Sequence, residues 1–209
     1  MPTALSPLPL QPPVRWTKPT HANTHGGKTY KPTHPDLFRV EFSASSGGGD
    51  EEEYSSRLVA SRDFAPDERI TKLTNISLAP EKAYSSVQFG TGPRDHLELN
   101  SDLLFMNHSC NPTAEIHLPS HRPEEWEVRA RSSSTQGIKE GEAITFFYPS
   151  TEWDMAQGFD CSCGATNCLG KIQGAKYLSV AQLEERGYVN EHILKLKEAQ
   201  EVNGHTNGQ

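Results

Sequence analysis

The chain has 209 residues, enough for one domain of ordinary size with tails, and 34% of them are hydrophobic, fewer than a chain packed throughout would carry. Its formal net charge of −7 argues against the basic surface of a nucleic-acid-binding domain, and no apolar run approaches the ~18 residues of a membrane helix. The sequence therefore predicts a protein with neither a nucleic-acid nor a membrane partner; its acidity suits a basic peptide substrate but is equally the charge of any soluble protein.

Eight of the fifteen prolines lie within the first 35 residues. Proline removes a backbone donor and fixes φ, so residues 1–36 are expected to be a disordered, proline-rich arm. The same prolines interrupt the apolar core of a secretory signal, and no basic stretch precedes it, which predicts an intracellular protein, cytoplasmic or nuclear. Residues 45–53, SSGGGDEEE, combine flexible glycines with mutually repelling acids and read as an exposed loop.

A short strand is expected over 57–61, then a turn at APDE with Pro66 in a favoured position, then a strand over 69–73. AEIHL (114–118) reads as a strand. WEVRARS alternates, with Trp126, Val128 and Ala130 on one face and Glu127, Arg129 and Arg131 on the other, the period of a half-buried strand. After the turn in STQGIKEGE, AITFFY (143–148) is an apolar run of strand type. Helices come last: Ser179 and Gln182 form a capping box, and Asn190 is placed to N-cap a second helix. Short strands separated by turns make the fold mainly β, with short helices.

Cys161, Cys163 and Cys168 form a C-x-C-x4-C cluster, and the remaining cysteine, Cys110, stands in NHSCNP. Four buried thiols without a joint role are one reading; a disulfide is disfavoured without a secretory signal. The close spacing, with Gly164 free to turn the backbone, favours a metal, and thiolates are natural ligands of tetrahedral zinc.

NHSCNP, then GEAITFFY, then C-x-C-x4-C, in this order, resembles the SET-domain family with its post-SET segment, over about residues 55–174. LVASRDFAPDERI resembles an earlier segment of that family. The resemblance implies a SET-type β fold in which Cys110 joins Cys161, Cys163 and Cys168 on one structural zinc. The implied organisation is the arm at 1–36, a SET-like domain at 37–158, the zinc segment at 159–174 and a helical tail at 175–209. It further implies transfer of a methyl group from S-adenosylmethionine to a protein lysine by a monomer, with Tyr148 as the catalytic tyrosine and Asn107 and His108 meeting the cofactor. Read without the family, Tyr148 is a strand aromatic and His108 a hydrogen-bonded core histidine.

Some positions depart from the family pattern. The family's cofactor loop carries G-x-G, whereas Ser55 and Arg57 stand here; Arg57 either blocks the cofactor or pairs with a carboxylate. Leu104 replaces an arginine, the usual long insert is short, and Tyr84 is only a candidate for the second channel tyrosine. Two alternatives therefore accompany methyl transfer to lysine: a SET-fold enzyme that has lost this reaction and acts on a small molecule, or a non-catalytic binding module.

Overall fold

The computed structural model describes residues 17–42 and 56–206, with side chains as far as residue 203. Ser55, residues 1–16 of the expected arm and the acidic loop at 45–53 lie outside the described residues.

Among the described residues, twelve short strands make small sheets that wrap a common core. Strand β1 (Phe38–Glu41) pairs antiparallel with β2 (Arg57–Ala60). Strands β3 (Arg69–Lys72), β4 (Ile76–Leu78), β5 (Ser86–Gln88) and β6 (His96–Leu99) follow. Next come β7 (Asn107–His108), β8 (Ala114–His117), β9 (Glu127–Ala130) and β10 (Thr145–Phe146). Strands β11 (Phe159–Asp160) and β12 (Lys171–Ile172) then precede two helices, α1 (Val180–Glu184) and α2 (Glu191–Thr206). The three-stranded sheets run in the orders β3-β9-β8 and β4-β6-β5, antiparallel throughout. This mainly β architecture with few short helices is consistent with a SET-type β fold.

The alternation read from residues 126–131 is realised: Trp126, Val128 and Ala130 are fully buried, while Arg129 points outward to ion-pair with Glu127 and Asp67. In the turn before β3, Pro66 sets the first central φ and Asp67 takes the left-handed φ of 59°, closed by Glu68 N–H donating to Ala65 O at 3.1 Å. Gly137 is required where the chain passes Phe64. A Cβ there would lie 2.0 Å from the Phe64 carbonyl oxygen, and the backbone φ is +69°.

Three expectations need correction. The apolar run at 143–148 yields only the two-residue β10, because the chain turns into a 3-10 segment at Tyr148–Ser150 where Pro149 offers no N–H to a ladder. Asn190 does precede α2, and its carbonyl accepts the first helical bonds from Ile193 and Leu194. Its side chain, however, caps nothing: Oδ1 accepts from Leu118 N–H (2.8 Å), and Nδ2 donates to Ile116 O (2.9 Å) and Ser150 O (3.0 Å). By contrast Ser179 and Gln182 do form the reciprocal capping box on α1.

The third correction concerns the arm. Its described part, residues 17–36, is not disordered but tied to the core through Asp102, which is fully buried. The Tyr30 hydroxyl donates to Asp102 Oδ1, and the backbone N–H groups of Thr33 and His34 donate to Oδ2 at 3.0 and 2.7 Å. Tyr30 also packs edge-on against Phe42 and Phe105. Burial alone would raise the Asp102 pKa, but these hydrogen bonds, with one from the His34 side chain, outweigh it and hold the carboxyl below its ordinary value. Proline content is silent about such contacts, since one carboxylate and one aromatic ring anchor the segment.

Asp102→Ala should therefore cost about 3 kcal/mol or more in urea denaturation at neutral pH, because charged hydrogen bonds are lost and buried donors are orphaned. Deleting residues 1–36 should cost a comparable amount. A carboxyl with a depressed native pKa stabilises above its unfolded value, so the gap between wild type and Asp102→Ala should narrow only as pH falls below 3.8.

Candidate functional site

The site begins with β7 and β10, which pair parallel in the register Thr145↔Asn107 and Phe146↔His108. This brings NHSC and TFFY side by side from distant parts of the chain. The extended backbone then divides three aromatic rings between two cores. Phe146 and Tyr148 pack on the main core, while Phe147 enters a second cluster with Ala175, Leu183 and Ile193 from the C-terminal segment.

Tyr148 is held at both ends. Its hydroxyl donates to Met106 O (3.1 Å), and its backbone N–H donates to His108 Nδ1 (3.3 Å). Burial, together with the negative charge of Glu152, raises the tyrosine pKa, so the hydroxyl stays protonated. Burial, then the nearby Arg186 charge, holds the His108 pKa down at about 4, so the ring is neutral. With Nδ1 accepting, Nε2 carries the proton and faces Cys110 Sγ at 3.4 Å. Both ring nitrogens are thus engaged within the protein, as a hydrogen-bonded core histidine requires. Asn107 Nδ2 donates to Ser56 O (3.0 Å), fastening β7 to the start of β2.

A narrow cavity of about 50 Å³ opens beside the Tyr148 ring. Tyr84, Val87, Leu103, Met106 and Glu152 share its wall. Tyr84, the candidate second tyrosine, does line this space; its hydroxyl accepts from Lys18 Nζ (2.8 Å), and the same ammonium sits over its ring. Glu152 was not legible in the sequence. The one available signal was a carboxylate four residues past Tyr148. Its Oε1 accepts from Gln88 N–H (2.7 Å) and Thr151 Oγ1 (3.2 Å), yet burial pushes its pKa up to about 7.

Arg57 resolves one of the two sequence alternatives. Its guanidinium meets Glu41 Oε2 at 2.7 and 2.8 Å, across the β1–β2 register that places the two residues opposite each other. The arginine at the expected glycine position is paired with a carboxylate.

The four cysteines converge. Their sulfurs all lie within 4.8 Å of one another, with Cys110 buried and the others half-buried. Strands β11 and β12 pair antiparallel at the neck of the loop, and Cys161 N–H donates to Gly170 O. Gly164, at φ +73°, turns the chain back toward the cluster. A tetrahedral zinc with Zn–S of about 2.3 Å implies sulfur separations of about 3.8 Å, so this donor set fits the ion with small shifts. Leu169 N–H on Cys110 Sγ (3.4 Å) and Gly170 N–H on Cys168 Sγ (3.5 Å) can offset the charge of bound thiolates. Four protein ligands leave no open position for catalysis, so such a metal would be structural.

The cluster is wired to Tyr148. Phe159 of β11 stacks edge-on against His108 and Tyr148, and Leu169 packs on the Phe147 cluster. Arg186, nearly fully buried just after α1, donates to Asn167 O within the cysteine loop (2.6 Å) and to Gln182 O (2.7 Å).

No family model matches the chain. Among curated proteins it is 37% identical to "Methyltransferase flvH" of Aspergillus flavus over 166 residues, 79% of this chain and 84% of that protein. It is also 27% identical over 126 residues to "Histone-lysine N-methyltransferase ash1" of Drosophila melanogaster, covering 58% of this chain but 5% of that one. A third match, "Histone-lysine N-methyltransferase ASHH3" of Arabidopsis thaliana, is 35% identical over 72 residues, 32% of this chain and 17% of that one. The mainly β fold thus sits among methyltransferase relatives. The chain belongs to the family of the Aspergillus flavus methyltransferase.

Metal analysis of purified protein should find one zinc per chain. Cys110→Ser should weaken zinc retention by orders of magnitude and lower the melting temperature, because metal binding here is coupled to docking of the C-terminal segment. Protein free of zinc, or Cys110→Ser with unchanged zinc affinity and stability, would contradict the assignment.

Proposed function

We propose that this protein is a SET-type methyltransferase that uses S-adenosylmethionine to methylate an amine, with a protein lysine as the substrate class. The observation that carries the reading is the Tyr148 hydroxyl, buried beside a narrow cavity and set 3.1 Å from the Met106 carbonyl oxygen. Methyl transfer asks little of a protein beyond a neutral amine, an in-line approach and a dry channel. The hydroxyl and the carbonyl oxygen supply polar atoms to orient an amine, and Val87, Leu103 and Met106 supply apolar walls for its alkyl stem. The histone-lysine N-methyltransferases among the relatives support lysine as the acceptor.

S-adenosylmethionine, when bound, supplies the sulfonium methyl group. The residues assigned to hold it are Asn107 and His108. Among the described residues β7 has a strand partner on one edge only, so its other edge offers backbone polar groups. Both side chains there are half-buried, and with the His108 ring nitrogens engaged within the protein its contribution falls to the backbone. Tyr148 keeps its proton and orients the amine rather than acting as a base. Cys110, Cys161, Cys163 and Cys168 would hold a structural zinc, which would fix the Phe147–Phe159 side of this arrangement.

Calorimetric titration with S-adenosylmethionine tests the reading. Wild type should bind it, and Tyr148→Phe should bind nearly as well while losing about 100-fold or more of turnover on a lysine peptide, since the hydroxyl acts on the reacting amine. Arg57→Gly removes an exposed ion pair and puts glycine at the start of β2, so stability should fall by about 2 kcal/mol or less. Cofactor affinity in that variant should be unchanged or tighter. Absence of binding in both wild type and Arg57→Gly would rule methyl transfer out.

A further inference from the structure

We propose that Glu152 is the anionic end of an organic-ammonium binding site, in which its carboxylate draws a primary alkylammonium into the cavity and takes up the proton of that amine. The proton-transfer half rests on the amine-methylating reading; the binding half does not.

The geometry is that of a charge in want of a partner. Glu152 is only 7% exposed and lines the cavity together with Tyr148. Oε1 is fully engaged by Gln88 N–H and Thr151 Oγ1, whereas Oε2 has no hydrogen bond among the described residues. His96 Nδ1 lies 3.9 Å from Oε2. Of the titratable groups around it, Lys82 alone acts as a favourable positive charge, and it does so at a distance without pairing with the carboxylate. Burial, reinforced by the Lys82 charge, keeps the His96 pKa low, and Ser86 Oγ shares the same ring nitrogen. His192 of α2, whose Nε2 meets Thr151 O, is held at about 4 by burial. The Lys82 ammonium donates to Asp154 O at 2.8 Å. Tyr148 is a neutral phenol. A carboxylate so enclosed is costly unless a cation joins it.

The walls specify which cation. Val87, Leu99, Leu103 and Met106 suit an aliphatic stem, and the ring of Tyr148 suits an ammonium head. A lysine side chain and a small free alkylamine share this chemistry. A carboxyl that titrates near neutrality is matched to proton exchange. In the step itself an N–H bond of R–NH3+ breaks and an O–H bond forms on Glu152, leaving the electron pair on nitrogen. That pair forms the N–C bond to the methyl of the sulfonium donor as the S–C bond breaks and its electrons go to sulfur. Glu152 then returns its proton to water.

The test titrates full-length protein with n-butylammonium, with n-butanol as its uncharged counterpart, and with a lysine peptide, by NMR and calorimetry. Wild type should prefer n-butylammonium over n-butanol at least ten-fold, with the preference growing from pH 6 to pH 8 as Glu152 ionises. Glu152→Gln, which keeps the Oε1 acceptor, should abolish both the preference and its pH dependence. Equal binding of the two probes, or a preference that survives Glu152→Gln, overturns the proposal. Should that variant not fold, a wild-type preference flat between pH 6 and pH 8 overturns it instead. Displacement of n-butylammonium by the lysine peptide assigns the site to protein lysines, and lack of displacement to small amines; both support the ammonium site. Ammonium binding without any S-adenosylmethionine binding would keep the site and dismiss methyl transfer.

Discussion

Everything at the site depends on how three consecutive aromatic residues, at the end of β10 and the start of the 3-10 turn, are divided between two cores. Phe146 and Tyr148 face one way and Phe147 the other, so the segment running from β10 into the 3-10 turn needs a hydrophobic partner on each side. Burying one such ring contributes about 2 kcal/mol, so neither side can be left open cheaply. The main core supplies one partner; the segment after β12 supplies the other, through Ala175, Leu183 and Ile193. The residues following the metal cluster are thus the second half of the support for Tyr148. The parallel register with β7 sets the remaining coordinates, since it places His108 beneath the Tyr148 N–H and Met106 O within reach of its hydroxyl.

Polar groups inside this frame are mostly satisfied, although among the described residues Ser101 Oγ, Arg131 Nε and Arg186 Nε are buried without a partner. Asn190 spends its whole amide on β8 and on the turn after Tyr148. Asp102 accepts from side chain and backbone alike. Glu152 is half satisfied, with one oxygen fixed and the other facing open space. In a low-dielectric interior the paired groups specify structure, whereas the half-paired one sits where a ligand fits.

The sequence displayed those parts of the molecule whose cause is local. Alternation at 126–131, the capping box at Ser179 and the clustered cysteines each depend on neighbours a few residues apart, and each appears in the structure. Legibility failed where the cause lies far along the chain. Proline density marked residues 17–36 as unfolded, but their order comes from Asp102, some seventy residues away. Asn190 looked like a cap because its helix is adjacent, while its side chain serves strands more than seventy residues upstream. Glu152 was hidden for the same reason, since its burial is made by β5 and β6. Arg57 stood between two readings until the β1–β2 register set Glu41 opposite it.

The side chain of Asn190 also imposes an order of events on folding. Its bonds close loops of 40 to 74 residues, and the Asp102 bonds close others of similar span. Chain closure of that length costs entropy before any contact rewards it, which slows folding and delays the outermost segments. Asn190 and His192 hold the Ser150 and Thr151 carbonyls in the turn that carries Glu152, so a C-terminally cut molecule would contain every cavity-lining residue and lack this support.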